Sequence, residues 1–214
     1  MLTSLLSIPA RLFEFGGSVV GIRGGTEEPR YTVVQEIPGA EIRRYGPRIA
    51  AETTVAAGEE AARYQGFRRL ARYISGANHA TAKIAMTAPV AQQPISAGGE
   101  KIAMTAPVSQ RAGDKGEWVI RFFMPADKTM ESLPEPDDDA VKLVTVPDET
   151  VAVRRFTGSR SARAVAAQTA ELMRALRDAG IEPAGSAAAW FYDPPWTVPM
   201  LRRNEIVVPV VPNS

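Results

Sequence analysis

The chain has no cysteine and only one histidine in its 214 residues. Without thiols there can be no disulfide, Cys-based zinc site, iron–sulfur cluster, thiolate or covalent c-type haem attachment, or Cys nucleophile. One histidine excludes any site that needs two, as the common zinc enzymes do. An excess of one charge is missing too: 25 Lys+Arg stand against 24 Asp+Glu, a formal net charge of +1. That balance argues against nucleic acid as a partner, because capture by phosphate contacts needs a basic face. No stretch reaches the roughly 18 apolar residues that span a bilayer. Gly-x-Ser-x-Gly, Gly-x-Gly-x-x-Gly and Walker-type loops are absent. What is present is ordinary for a globular domain with a real core, at 45% hydrophobic and 23% charged residues. A Cys-free chain tolerates either redox compartment.

Residues 1–29 read as an apolar segment and linker, and residues 30–214 as one domain. Leu2, Leu5, Leu6, Leu12, Phe13 and Phe15 dominate the first part, while Pro9 and Gly16-Gly17 break any long helix. No Lys or Arg precedes the apolar run, and Arg11 and Glu14 interrupt it, unlike a secretory signal. The expectation is a helix packed on the domain or on a membrane surface through residues 1–22. A cytoplasmic protein, with or without membrane association, follows; an exported form stays open, as does the oligomeric state.

β-branched and aromatic runs bounded by Pro, Gly and Asp predict strands over 31–37, 41–45, 49–55, 84–92, 102–110, 118–124, 142–146, 150–156, 188–192 and 205–211. The spacing of Phe67, Leu70, Ala71 and Ile74 predicts a helix over 58–75 with one apolar stripe. A second helix over 161–179 buries Val165, Leu172, Met173 and Leu176 and ends at Gly180. Residues 133–140, with Pro134, Pro136 and three successive Asp, form a loop.

Two repeats stand out. Lys83-Ile84-Ala85-Met86-Thr87-Ala88-Pro89-Val90 recurs identically 18 residues later at 101–108. Two such strands joined by a Gly-bearing loop predict an antiparallel ribbon, with Ile, Met, Ala and Val on one face. Pro89 and Pro107 cannot donate to a ladder and mark an edge, a bulge or a strand end. More weakly, Ile37-Pro38-Gly39 with Ile42-Arg43-Arg44-Tyr45 matches Val146-Pro147-Asp148 with Val153-Arg154-Arg155-Phe156. This suggests two related halves that close into a barrel-like domain.

The stretches YTVVQEIPGAEIRRYGPRIAAET, GFRRLARYISGAN, the doubled KIAMTAPV, VIRFFMPADKTMESLPEPDD, VAVRRFTG and FYDPPWTVPMLRRNEI resemble the SOUL/haem-binding protein family. They cover nearly everything from Tyr31 onward. The resemblance implies an α+β fold: a distorted antiparallel β-barrel of two pseudo-repeated halves with two main helices packed on it. It also implies non-covalent, reversible binding of haem or a related tetrapyrrole, for buffering, transport or delivery. The groove would lie beside the first helix and near the Tyr192-Asp193-Pro194-Pro195 loop. Some family members carry a Lys two residues after the Pro-Pro pair. Here that position is Thr197, which leaves propionate contacts from this loop in doubt.

A porphyrin needs a flat apolar slot and cations for two propionates. Phe67, Leu70, Ala71, Tyr73 and Ile74 of the first helix offer the slot, and Tyr64 and Tyr73 stand off its apolar stripe. Arg63, Arg68, Arg69 and Arg72 offer the cations. Trp196 and Met200 can cover one porphyrin face while Arg202 or Arg203 holds a propionate. Each also has a plain reading, as core for the stripe and as solvated surface for the arginines. His79, in the loop after the helix, is the sole histidine available as an axial ligand. Met86, Met104, Met124, Met173, Tyr45 and Tyr73 are softer or phenolic alternatives. A tetrapyrrole-modifying enzyme such as a metal dechelatase, using Glu41, Glu52, Asp193 or Glu205 as acid or base, is the competing reading. So is a binder of another apolar ligand at a membrane surface.

Overall fold

Nine strands and two helices follow one another in the computed structural model, which describes residues 26–95, 116–194 and 196–211. The strands are β1 (Tyr31–Ile37), β2 (Ala40–Tyr45), β3 (Arg48–Ala56), β4 (Val90–Pro94), β5 (Glu117–Phe123), β6 (Lys142–Val146), β7 (Glu149–Phe156), β8 (Ala188–Phe191) and β9 (Asn204–Pro209). Helix α1 (Glu59–Ile74) lies between β3 and β4, and α2 (Ala162–Asp178) between β7 and β8. All pair antiparallel in one sheet of order β1-β2-β7-β9-β8-β4-β5-β3-β6.

That order contains the two halves. Outward from the β8–β4 junction, β4, β5, β3, β6 run one way and β8, β9, β7, β2 the other. Each half is therefore two strands, a helix and two strands: β2-β3-α1-β4-β5 and β6-β7-α2-β8-β9. The first strand of each half pairs into the other, β2 with β7 and β6 with β3. The short sequence match aligned β2 with β7. The structure makes those two neighbours and gives β7 the place of β3, so the halves are real but that match is one strand out of step.

Alternation sends each strand's side chains to two faces. On one face α1 covers Ala51, Ile120 and Phe122, and α2 covers Ile42, Ala152, Ile206 and Val208. The opposite face carries Tyr45, Phe123, Val151, Val153, Trp190, Tyr192 and Val207. Three strand spacings separate β2 from β8, about 14 Å in a flat sheet. Yet the Tyr45 and Trp190 rings lie 5.4 Å apart, so the sheet curls around this inner face into a half-barrel.

Both helices seat as their periodicity dictates. Leu172, Met173 and Leu176 are buried and Val165 is half-buried against the same cluster. The Ser161 side chain accepts from the Ala164 amide and caps α2. In α1, Gly66 faces Ile120 so closely that an added Cβ would lie 2.3 Å from Ile120 Cγ1 and 2.7 Å from its Cβ. Gly66→Ala should therefore destabilise the fold by about 1–3 kcal/mol, overpacking outweighing the helix propensity gained. A thermal melt unchanged or raised would contradict this close approach.

The first octapeptide is not a regular strand from its start. Ladder pairing begins only at Val90, directly after Pro89. Before it, the Ile84 amide donates to Ile74 O and the Ala88 amide to Glu27 O. Ile84 and Ala88 are buried while Met86 is 46% exposed, so the expected single face is not kept. Over Val90–Gln92 both edges of β4 are taken, by β5 and by β8, not by the repeat. The second copy, Met104 and the strand expected over 102–110 lie outside the described residues, as do residues 1–25. Among the described residues, no helix is long and apolar enough to cross a membrane.

Candidate functional site

Three arginines meet where the start of α1 faces the loop that joins β8 to β9. Phe191, the last residue of β8, lies under two of them: Arg63 Cζ is 4.6 Å and Arg160 Cζ 5.6 Å from its ring centroid. Arg160 Nη1 donates to Asp193 O at 3.0 Å, and Arg202 Nε donates to Thr197 O at 2.7 Å. Burial, and then the nearby Arg202 and Arg63 charges, push the Arg160 guanidinium down to about 10. Burial also lowers Arg63, with Glu59 and Glu60 opposing it, and Arg63 Nη1 is buried without a hydrogen-bond partner. The loop beside this cluster exposes Trp196 and Met200, at 53% and 74%. A concentration of guanidinium groups beside exposed apolar surface suits a flat apolar ligand bearing carboxylates.

The residues expected in the site divide into two sets. Leu70, Tyr73 and Ile74 are buried under the sheet, so these three belong to the core. Tyr73 does not stand free beside the stripe; its hydroxyl donates to Pro134 O, because the loop before β6 folds over the end of α1. Phe67 packs edge-on to Phe122 with centroids 5.4 Å apart, and Ala71 is half-buried beside it. Tyr64, Arg68 and Arg72 are exposed on α1, with Arg68 over the Tyr64 ring at 5.7 Å. Thr197 is fully buried.

His79 lies past the far end of α1, whose last residue Ile74 is about 16 Å along the helix axis from Arg63. Its Nδ1 is 3.3 Å from Glu135 Oε2, its amide donates to Glu135 O, and its side chain is 62% exposed. Met124, Met173 and Tyr45 are core residues, and Met86 is exposed away from this cluster. Arg160 is the member that sequence reasoning missed. It stands alone in Gly158-Ser159-Arg160-Ser161, with no periodicity to single it out.

Glu41, Glu52 and Glu205, three of the candidate acids, are held in ion pairs. Glu205, fully buried, accepts from Arg43 Nη1 at 3.1 Å, Tyr192 OH at 2.6 Å and Arg203 Nη2 at 2.9 Å. Arg43 also binds Glu41, Arg203 binds Glu28, and Glu52 accepts from Arg121. Burial pushes the Arg43 and Arg203 guanidinium groups down, but their anionic partners outweigh it and hold both above the ordinary value. Asp193 Oδ2 accepts the Arg203 amide at 2.6 Å. A separate cavity of about 560 Å³ opens at one end of the inner face, between Glu28–Arg30, Arg48, Phe123 and Met130.

A family model described as SOUL heme-binding protein matches residues 26–209. The chain is 31% identical over 145 residues to human heme-binding protein 2, covering 67% of this chain and 64% of that protein. Among solved structures, the EcmrR C-terminal domain superposes with a TM-score of 0.59 at 11% identity, covering 86% of this chain and 99% of that one. An uncharacterized conserved protein from Listeria innocua does so with a TM-score of 0.57 at 13% identity, covering 96% and 100%. These two show a shared fold.

Proposed function

Because the chain belongs to the SOUL heme-binding protein family, we propose that it binds haem or a related tetrapyrrole reversibly between α1 and the 193–202 loop. The observation that carries this reading is the convergence of Arg63 and Arg160 on Phe191, with the Arg202 charge near Arg160, beside exposed Trp196 and Met200. Placing three cations together costs free energy in the empty protein, and two propionates arriving there offset that cost. In this reading Arg160, with Arg63 and Arg202, holds the carboxylates, while Tyr64, Trp196 and Met200 shield the ring from water. Haem held there would supply an iron centre, with no histidine among the residues named for the site. Such a site favours exchange over fixed redox chemistry, which suits buffering or delivery.

Haemin titration tests it. The expected result is a saturable Soret change near one equivalent, unaltered by His79→Ala. Linear, non-saturating absorbance would overturn the reading.

A further inference from the structure

An aromatic box is built into the inner face, and the chain's own Arg48 fills it. Arg48 Cζ sits 4.5 Å from the Tyr45 ring centroid, 4.7 Å from Phe123 and 5.8 Å from Trp190. The three rings brace one another, Tyr45–Trp190 and Phe123–Trp190 both at 5.4 Å and near edge-on. The Arg48 side chain is only 10% exposed, and Nη2 pairs with Glu149. Nε and Nη1 are buried without hydrogen-bond partners. An aromatic box attracts a cation through its ring faces but offers no acceptor for N–H groups. A guanidinium is therefore a poor fit: it gains the cation–π attraction and leaves two donors unmet. A cation with no N–H brings no donor that the box must leave unmet.

The surroundings favour the same occupant. Arg48 and Phe123 both line the cavity of about 560 Å³, whose wall joins apolar Pro47, Met124 and Met130 to charged Glu27, Glu28, Arg30, Lys128 and Glu131. Glu149 and Phe123 line a smaller cavity of about 50 Å³ that also reaches Trp190. The Arg48–Glu149 pair thus stands between the two spaces. We propose that this box is a binding site for a lipophilic quaternary ammonium or similar donor-free organic cation, which enters from the larger cavity and displaces Arg48. Tyr45, Phe123 and Trp190 cage the charge, Glu149 balances it, and the apolar tail lies along Met124 and Met130. The site is independent of the tetrapyrrole reading.

Calorimetry with benzyltrimethylammonium tests it on the full chain. Arg48→Ala, which removes the resident cation, should bind at least about tenfold more tightly than wild type, and adding Glu149→Gln should reverse the gain. Haemin binding by Arg48→Ala should be unchanged. A folded Arg48→Ala protein that binds the probe no better than wild type overturns the proposal. If that variant does not fold, wild-type NMR decides. Saturable shifts of the Arg48 Nε–H and Trp190 indole signals support the site. Their absence up to roughly 10 mM, the weak end for one cation–π cage, overturns it.

Discussion

Glu205→Ala should cost the fold about 3–5 kcal/mol, because it takes from two buried cations the fully buried anion they share rather than removing one contact. The Glu205 side chain is 0% exposed and the Arg43 side chain 4%. Arg203, at 13%, keeps Glu28 as a partner, whereas Arg43 keeps only the more exposed Glu41. The position ties three elements together: Arg43 on β2, Glu205 on β9 and Tyr192 after β8. Breaking it removes a brace across the half-barrel as well as a charge. Denaturant unfolding of wild type and variant measures the difference. A loss below about 1 kcal/mol, the range of a surface pair, would show that water reaches these groups. It follows that Glu205 is a structural residue and a poor general acid, since its carboxylate is already engaged by three donors.

Arg160→Glu should weaken haemin binding roughly 100-fold, about 2.7 kcal/mol. The substitution turns the hub of the cluster from attraction to repulsion for a propionate. Arg174→Glu, exposed on α2 about 18 Å along the helix axis from its first residue Ala162, should change affinity by less than about threefold through screened long-range charge. Soret titrations at fixed salt measure both. Equal losses would mean that overall charge, not this cluster, governs binding. The stability of Arg160→Glu should stay close to wild type, because its lost bond to Asp193 O is offset by relief of repulsion from Arg63 and Arg202.

The sheet was largely readable from local pattern. The Pro38-Gly39 turn between β1 and β2 works because Gly39 takes φ +80, which few side chains tolerate, and Arg154 donates to its carbonyl. The two helix faces were equally visible, since 3.6-residue spacing selects Leu70 and Ile74, and Leu172 and Leu176. What local pattern cannot contain is a partner far along the chain. Residues 84–89 have strand composition, yet their amides go to Ile74 and Glu27. Tyr73 lies off the stripe by periodicity and is buried by a loop some 60 positions away, where its hydroxyl reaches Pro134 O. Arg63 and Arg202 could be named from the sequence because they sit in recognisable stretches. Arg160 belongs to the same cluster only because α2 begins beside the β8–β9 loop, where the Gly158 amide donates to Pro199 O. Arg48 likewise looks like an ordinary strand residue until the curl brings Tyr45, Phe123 and Trp190 around it.

Paramagnetic broadening by bound haemin in an amide NMR spectrum shows where the proposed tetrapyrrole site lies. Broadening centred on residues 60–68, 158–161 and 191–203 is the predicted result. Broadening centred on residues 27–30 and 123–131, around the 560 Å³ cavity, would contradict it.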